Sequence, residues 1–489
     1  MSVHSKGKGG GRSYCLLIAF WLSGNFLMNT PALAQTVTVL KGATVIDGTG
    51  AQPKPNTTVV VAGERILWVG PSEEYRSPRG AKVIDASGKN LLPGFIDMHA
   101  HVAFGPVEKT SSLTAPFRMV YDDSASQQMV TTLPRFGITT IRNTGGPTAE
   151  AVKIRDAVRI GELRGPRIFT AGAIIDQSSF PGLCAEVRTE AEVRAEVNRQ
   201  ADAGVDYIKV YSTLPPPLVK AAIDEAHRRG IRIIGHLMFT SWTEAANMGI
   251  DGLVHGIPLS PSLLPPEKRT AFIQGIQGTQ FMYQWFQYMD PASPEITDMV
   301  KALVANHVNI DPTLVAFDLM VRGDDPAVTQ DPELALVPMS LVDNWRNVFT
   351  LSMGWSTADY QEARAVWPSV LKFVKQLYDA GVLLTAGTDL ANPWVIPGVS
   401  FHQELKLLTD TGIPPLEVLS IATRNGAQSL GILSDVGTVQ AGKRADLVLL
   451  NADPVTKITN TREIAWTMMG GEVLRDEPPV GTPVKRIKK

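Results

Sequence analysis

Hydrophobic and polar positions change their spacing twice along this chain. From residue 36 to about 85 they alternate in short runs broken by turn residues, as in VTVLKGATVIDGTG, NTTVVVAGERILWVG and AKVIDASG. A period of two sends successive side chains to opposite faces, so these runs predict antiparallel strands with one buried face. The same texture returns after Gly437 in GTVQAGKRADLVLLNADP and AWTMMGGEVLRD. The two ends, 35–92 and 436–489, are expected to build one small β-sandwich together.

Between them, over 93–435, short apolar strands are separated by helical stretches, the pattern of repeated βα units and a parallel sheet. Eight candidate strands lie at 95–101, 138–143, 167–171, 207–211, 231–236, 252–255, 308–313 and 382–389. Eight closes a TIM barrel, so the predicted fold class is α/β, a (β/α)8 barrel carrying the small sandwich. Helical patterns such as AEVRAEVNRQADAG and PPLVKAAIDEAHRRG fill the gaps, each running out at a glycine. Two connections are too long for simple crossovers: one follows His255 and contains FMYQWFQYMD, the other runs from 318 to about 378. Insertions after barrel strands overhang the active face, so both read as lid or pocket segments, with most of their aromatics expected to be ordinary helix core.

The first 34 residues stand apart. Lys6, Lys8 and Arg12 precede an apolar stretch from Cys15 to Met28, and Ala32, Leu33 and Ala34 form a small-x-small cleavage site. Residues 1–34 are read as a signal peptide cleaved after Ala34, which predicts a periplasmic or secreted protein. The apolar stretch is shorter than the roughly 20 residues a span needs and is interrupted by Ser23, Gly24 and Asn25, so no stable membrane insertion is expected after cleavage. Taking the leader's three basic residues from the 46 Lys plus Arg leaves 43 against 48 Asp plus Glu, a net charge of −5. That balance lacks the basic footprint of a nucleic-acid binder. Cys184 is then the only thiol, which excludes an intrachain disulfide.

Seven histidines remain outside the leader, and His99, His101, His236 and His255 sit at the C-terminal ends of strands one, five and six. Side chains at i and i+2 of a strand share a face, so His99 and His101 in LLPGFIDMHAHV can both turn into the barrel and bind one metal ion. A lone histidine in such a place is usually structural; four at one rim point to a metal site. Asp389 ends strand eight in LLTAGTDL. It has the position of a helix N-cap, but beside four imidazoles a metal-ligand or proton-transfer role fits it better.

Lys209 in YIKVYS has two readings. Either it faces outward, or it faces a dication that would repel its ammonium, in which case carboxylation by CO2 converts it to a carbamate anion able to bridge two metals. Tyr211, two residues on, shares its strand face nearer the rim, where its hydroxyl is placed either to bond a polarised carbonyl oxygen or to pack against a lid. His402 and Arg142 are further candidates for substrate contacts. His227 and His307 fall in helical or loop patterns of the surface.

With HAH after strand one, Lys209 on strand four, His236 and His255 on five and six and Asp389 on eight, the chain resembles the amidohydrolase superfamily. More narrowly it resembles the imidazolonepropionase-like and prolidase-like (Xaa-Pro dipeptidase-type) branch, in its binuclear form with a carboxylated lysine. The likeness covers nearly everything after the leader, including LLPGFIDMHAHV, GTDLANP, HQELKLLTDTGIPPLEVLSIATRNGAQSLGI and VGTVQAGKRADLVLL. It implies that His99, His101 and Asp389 hold one divalent ion, His236 and His255 a second, and that carboxylated Lys209 bridges them, with zinc the expected metal. Imidazolonepropionase is similar in shape but works with a single metal and lacks the bridging lysine, so Lys209 argues against that activity. Members often carry Arg-Asp on strand two; this chain has Arg142 and Asn143, so whatever that acid does elsewhere is missing here.

The resemblance further implies hydrolysis of a C–N amide bond by a metal-bridging hydroxide, with Asp389 passing the proton to the leaving nitrogen. The expected partner is a small-molecule amide, foremost an N-acyl amino acid or dipeptide, Xaa-Pro-like or ochratoxin-like where an aromatic-rich lid receives a bulky acyl group. The same centre serves lactones, carbamates and phosphotriesters. From a different class comes a periplasmic binding protein that keeps the fold without turnover, and the complete ligand set speaks for the enzyme. The oligomeric state stays open at this level, a homo-oligomer included.

Overall fold

The computed structural model describes residues 37–474; the leader, its cleavage site and residues 475–489 lie outside them. Strands from both ends of the described chain meet in one sheet of eight. Its order is Glu472–Val473, Ile464–Met469, Leu447–Leu450, Asn90–Pro93, Val37–Val45, Lys54–Ala62 and Arg65–Pro71, with Lys82–Asp85 paired beside Val37–Val45. The two ends join through Leu447–Leu450, which runs antiparallel to Asn90–Pro93 with Leu447 opposite Pro93 and Leu450 opposite Asn90. Alternation of side chains gives this sheet an apolar core of its own, in which Leu40, Val59, Ile66, Leu91, Leu449 and Met468 are buried. Each such side chain contributes about 1.5–3 kcal/mol by leaving water.

The rest of the described chain closes a barrel of eight parallel strand positions. Barrel strands one to three, Phe95–Ala100, Ile138–Asn143 and Arg167–Thr170, run side by side. Strands four to seven, Tyr207–Val210, Arg232–Gly235, Gly252–Val254 and Asn309–Asp311, form a second parallel run. A bridge from Ala171 to Tyr207 links the two runs, Ile310 to Leu384 adds an eighth position, and Ala100 to Leu390 returns to strand one. Strands one, two and four are buried along their whole length, their polar residues included.

Two strands depart from the expected ranges. Strand three resumes as Ile174–Asp176, where Ile175 pairs with Val210 and a short outer strand, Cys184–Glu186, is added. The eighth position is not the regular strand expected at 382–389: it makes single bridges only, and Asp389 has φ of 61°, in the left-handed region. Its backbone binds strand one instead, Asp389 N donating to the His99 carbonyl at 2.8 Å and Thr388 N to Asp97 Oδ1 at 3.1 Å. Gly387 passes so close to strand one that a β-carbon there would stand 2.7 Å from the His99 Cβ. Only glycine lets the segment pack this tightly, and the regular ladder gives way to that contact.

Helices Glu190–Asp202 and Pro216–Arg228 fill the crossovers before and after strand four. Thr189 and Glu192 close a capping box on the first, and the second starts on Pro216. The long connections hold helices Pro266–Gly275, Phe281–Tyr288 and Pro294–Ala305, then Leu314–Val321, Met339–Asn347 and Thr357–Asp379. Trp285 and Phe286 pack against Phe373 as core, as most of these aromatics were expected to do. Among the described residues no helix is long and apolar enough to cross a membrane.

Candidate metal centre

The C-terminal strand ends converge on His99, His101, Lys209, His236, His255 and Asp389, all buried and all lining one cavity. His99 Nε2 and His101 Nε2 each stand 3.2 Å from Asp389 Oδ1, so three ligating atoms face one point. One nitrogen or carboxylate oxygen from each of His99, His255 and Asp389 lies within 4.8 Å of the others. The His99 and His255 rings are 4.9 Å apart between centres, and those of His236 and His255 are 4.4 Å apart.

Ring orientation is set from behind. His99 Nδ1 meets Asp311 Oδ2 at 2.5 Å, His101 Nδ1 the Gly145 carbonyl at 3.2 Å, and His255 Nδ1 the Thr313 hydroxyl at 2.7 Å. An imidazole that donates through Nδ1 presents a lone pair at Nε2, the arrangement a metal ligand needs. His236 differs, because its Nδ1 is buried with no hydrogen-bond partner. Such an orphan costs about 1–3 kcal/mol unless a ligand fills the role.

Burial dominates the titration of the group. It drives His236 down to about 3 and His255 well below the ordinary histidine value, and it lowers His101 as well. Three imidazoles are thus neutral at pH 7, the form that binds metal. Burial brings Lys209 down to about 7 against the pull of Asp311 and Asp389, and Lys209 makes no hydrogen bond or ion pair among the described residues. At His99 burial acts downward too, but Asp389 and Asp311 on either side carry it above the usual value. Burial alone would raise Asp389; His99, His101 and His255 hold it well below the carboxylate range. Neutral imidazoles, an ionised carboxylate, an orphaned ring nitrogen and an unpaired lysine make a donor set that fits divalent ions of borderline softness.

The backbone is strained at the same place. His255, Thr313 and Asp389 have φ of 71°, 47° and 61°. Each non-glycine residue held there costs on the order of 1–3 kcal/mol, and such costs gather at functional sites.

The group opens into a cavity of about 90 Å³ whose apolar wall is Phe104, Ile174, Leu183, Met282, Phe317 and Leu351. Phe104 stacks on the His101 ring at 4.1 Å. Tyr211 and Asn392 are the polar side chains of the wall outside the candidate ligands. Tyr211 meets the His236 ring edge-on at 4.7 Å, and burial keeps its hydroxyl protonated.

Two expected substrate contacts do not reach this cavity. His402 is buried near the start of strand one, beside Phe95 and Phe401, with Nδ1 on the Thr461 hydroxyl at 2.9 Å and Nε2 on the Phe136 carbonyl at 3.2 Å. It is a packed, satisfied side chain of the barrel's other end. Arg142 is fully buried beneath His99: Nη2 donates to Asp311 Oδ1 at 2.7 Å and Nε to the Met98 carbonyl at 2.8 Å. Sequence order carries no depth, so an inward cation below the rim and one on it look alike. Asp311 is the residue the sequence reading missed. Its signal was a lone acid closing the run VNID before Pro312, much as Asp389 closes LLTAGTD.

Comparison with known proteins bears on the family and the fold. The model of the amidohydrolase family matches residues 90–261 and 337–474. Over 413 residues the chain is 25% identical to an imidazolonepropionase of Rhizobium meliloti strain 1021, covering 81% of this chain and 85% of that one. The fold is similar to that of a Xaa-Pro dipeptidase with bound methionine in the active site (TM-score 0.65, 20% identity, 90% of this chain and 100% of the other). It is also similar to that of the A. niger ochratoxinase (TM-score 0.64, 17% identity, 90% and 95%). With the family match spanning more than half its length, the chain belongs to the amidohydrolase family and is a hydrolase acting on carbon–nitrogen bonds.

Proposed function

We propose that this chain is an exported amidase that holds two divalent metal ions and hydrolyses the C–N bond of a small amide. The observation that carries this reading is the convergence of His99, His101, Lys209, His236, His255 and Asp389 on one cavity, with His236 Nδ1 left unpartnered. His99, His101 and Asp389 would hold one ion and His236 and His255 the other. Lys209, as its carbamate with CO2, would bridge them. An amine brought to about 7 is substantially neutral at physiological pH, the form that reacts with CO2. Zinc suits this nitrogen and oxygen donor set. Export rests on the leader ending at Ala34.

When bound, such ions supply a hydroxide near neutral pH and polarise the scissile carbonyl. The chain's own residues do the rest. Asp389 is ionised and sits at the rim, where it takes the proton of the nucleophile and delivers it to the leaving nitrogen. Asp311 holds the His99 ring through Nδ1, and Arg142 holds Asp311. The protonated Tyr211 hydroxyl donates to the oxygen on which charge develops. Phe104, Met282 and Leu351 keep water away from the reacting atoms.

N-acyl amino acids and dipeptides, of the Xaa-Pro or ochratoxin kind, are the substrate class. The apolar wall supports members with a bulky apolar acyl group.

The test is metal analysis alongside chelator-controlled hydrolysis of an amide panel, repeated with Lys209→Ala. The expected result is about two ions per chain, hydrolysis abolished by chelation, and a ~10²-fold or greater loss of kcat together with metal in the variant. Unchanged turnover in Lys209→Ala refutes the bridge. A panel left wholly intact refutes the amidase.

A further inference from the structure

The catalytic cavity is too small for the substrates its chemistry suits. It measures about 90 Å³, whereas pockets for small organic ligands run to about 300–1,000 Å³. Room has to come from a neighbour, and one adjoins it. Met282 and Phe317, two walls of the catalytic cavity, also wall a second hollow lined by Ile257, Tyr283, Met320, Val321, Ala363 and Trp367. That hollow lies between helices Phe281–Tyr288, Leu314–Val321 and Thr357–Asp379 and now measures about 10 Å³. Its surface is apolar throughout, since the Tyr283 hydroxyl is turned away onto Asp359 Oδ1 at 2.9 Å. Met282 is unbranched and readily repacks, so a change of its rotamer joins the two spaces. It stands in the first turn of a helix whose N-terminus has no side-chain cap, behind Gly278 with φ of 52°.

We infer that the preferred substrates are amides bearing an elongated apolar acyl group, and that this group is received in the hollow behind Met282 and Phe317. The inference rests on the amidase reading and narrows it to acyl groups long enough to reach past Met282. In the reaction the hydroxyl of water joins the acyl carbon, the C–N bond breaks, and the remaining proton goes to the released amine.

The experiment uses the metal-loaded enzyme and a series of N-acyl prolines with acyl groups from acetyl to octanoyl. In kcat/KM the octanoyl amide should exceed the acetyl amide by about 10-fold or more. Ala363→Leu narrows the hollow and should lower the octanoyl-to-acetyl ratio at least ~10-fold. Val366→Phe, on the same wall, serves the same purpose if the first variant folds poorly. An octanoyl preference that is absent, or a ratio unmoved by both variants, overturns the inference while amide hydrolysis stands. Chelator-sensitive cleavage of no member of the series removes the amidase reading and the inference with it.

Discussion

Buried histidines occupy both ends of this barrel, and they are not alike. At the C-terminal rim His99, His101, His236 and His255 crowd around Asp389; at the base His402 lies beside Phe95 and Phe401. Burial does not separate them, for all five are under a tenth exposed. Nor does the direction of their titration, since burial takes both His236 and His402 to about 3. The separation lies in whether the ring nitrogens are satisfied. Both nitrogens of His402 are taken up by a hydroxyl and a backbone carbonyl, whereas Nδ1 of His236 has no partner and the Nε2 atoms of His99 and His101 face the Asp389 carboxylate. A buried nitrogen without a partner, as in His236, is what a bound ligand would satisfy, and His402 offers none.

The contrast breaks first at Asp389. Asp389→Asn keeps the shape and removes the proton carrier, so kcat should fall by about 10³-fold while the melting temperature moves little. A variant that keeps near-full turnover would remove Asp389 from the chemistry.

Asp311→Ala tests the layer beneath the rim. It leaves the fully buried Arg142 cation unpaired, for an expected loss of about 3–5 kcal/mol in urea unfolding, and it frees the His99 ring, weakening metal affinity ~10- to 100-fold. Replacing Arg142 with Met in the same background should return part of the stability without restoring metal affinity. Recovery of both would place Asp311 outside the support of the site.

His402→Gln gives the smallest effect and the cleanest sign. The folded protein holds His402 neutral down to about 3, through burial and then the nearby Arg462 cation, while the unfolded chain binds a proton below about 6.5. Its contribution is therefore present above pH 6.5 and is lost as pH falls toward 3, at up to ~1.4 kcal/mol per pH unit. Unfolding curves of wild type and His402→Gln should diverge in slope between pH 6 and 4, with turnover at pH 7.5 unchanged. Turnover that collapses while the fold persists would bring the base of the barrel into the catalytic site.

Much of this was legible along the chain. Short runs rich in apolar and β-branched residues marked all eight barrel positions, and HAH, YIKVY and GTDL marked C-terminal ends among them. The eighth failed as a regular strand because Gly387 packs against His99 and Asp389 turns left-handed, contacts no local pattern encodes. Asp311 was passed over and Arg142 misplaced for one reason: they pair with each other below the rim, and 169 residues separate them.

By itself the sequence determined the periodicities, and with them the strand and helix types, the closing number of eight and the chemical identity of every side chain at the rim. Those are local properties, set by how each residue partitions between water and a half-built interior. Tertiary structure alone decided which polar groups share a depth and which of their atoms lack partners. Depth and satisfaction depend on contacts between strands far apart in the chain, and on them rests the difference between His236, open to a ligand, and His402, closed to one.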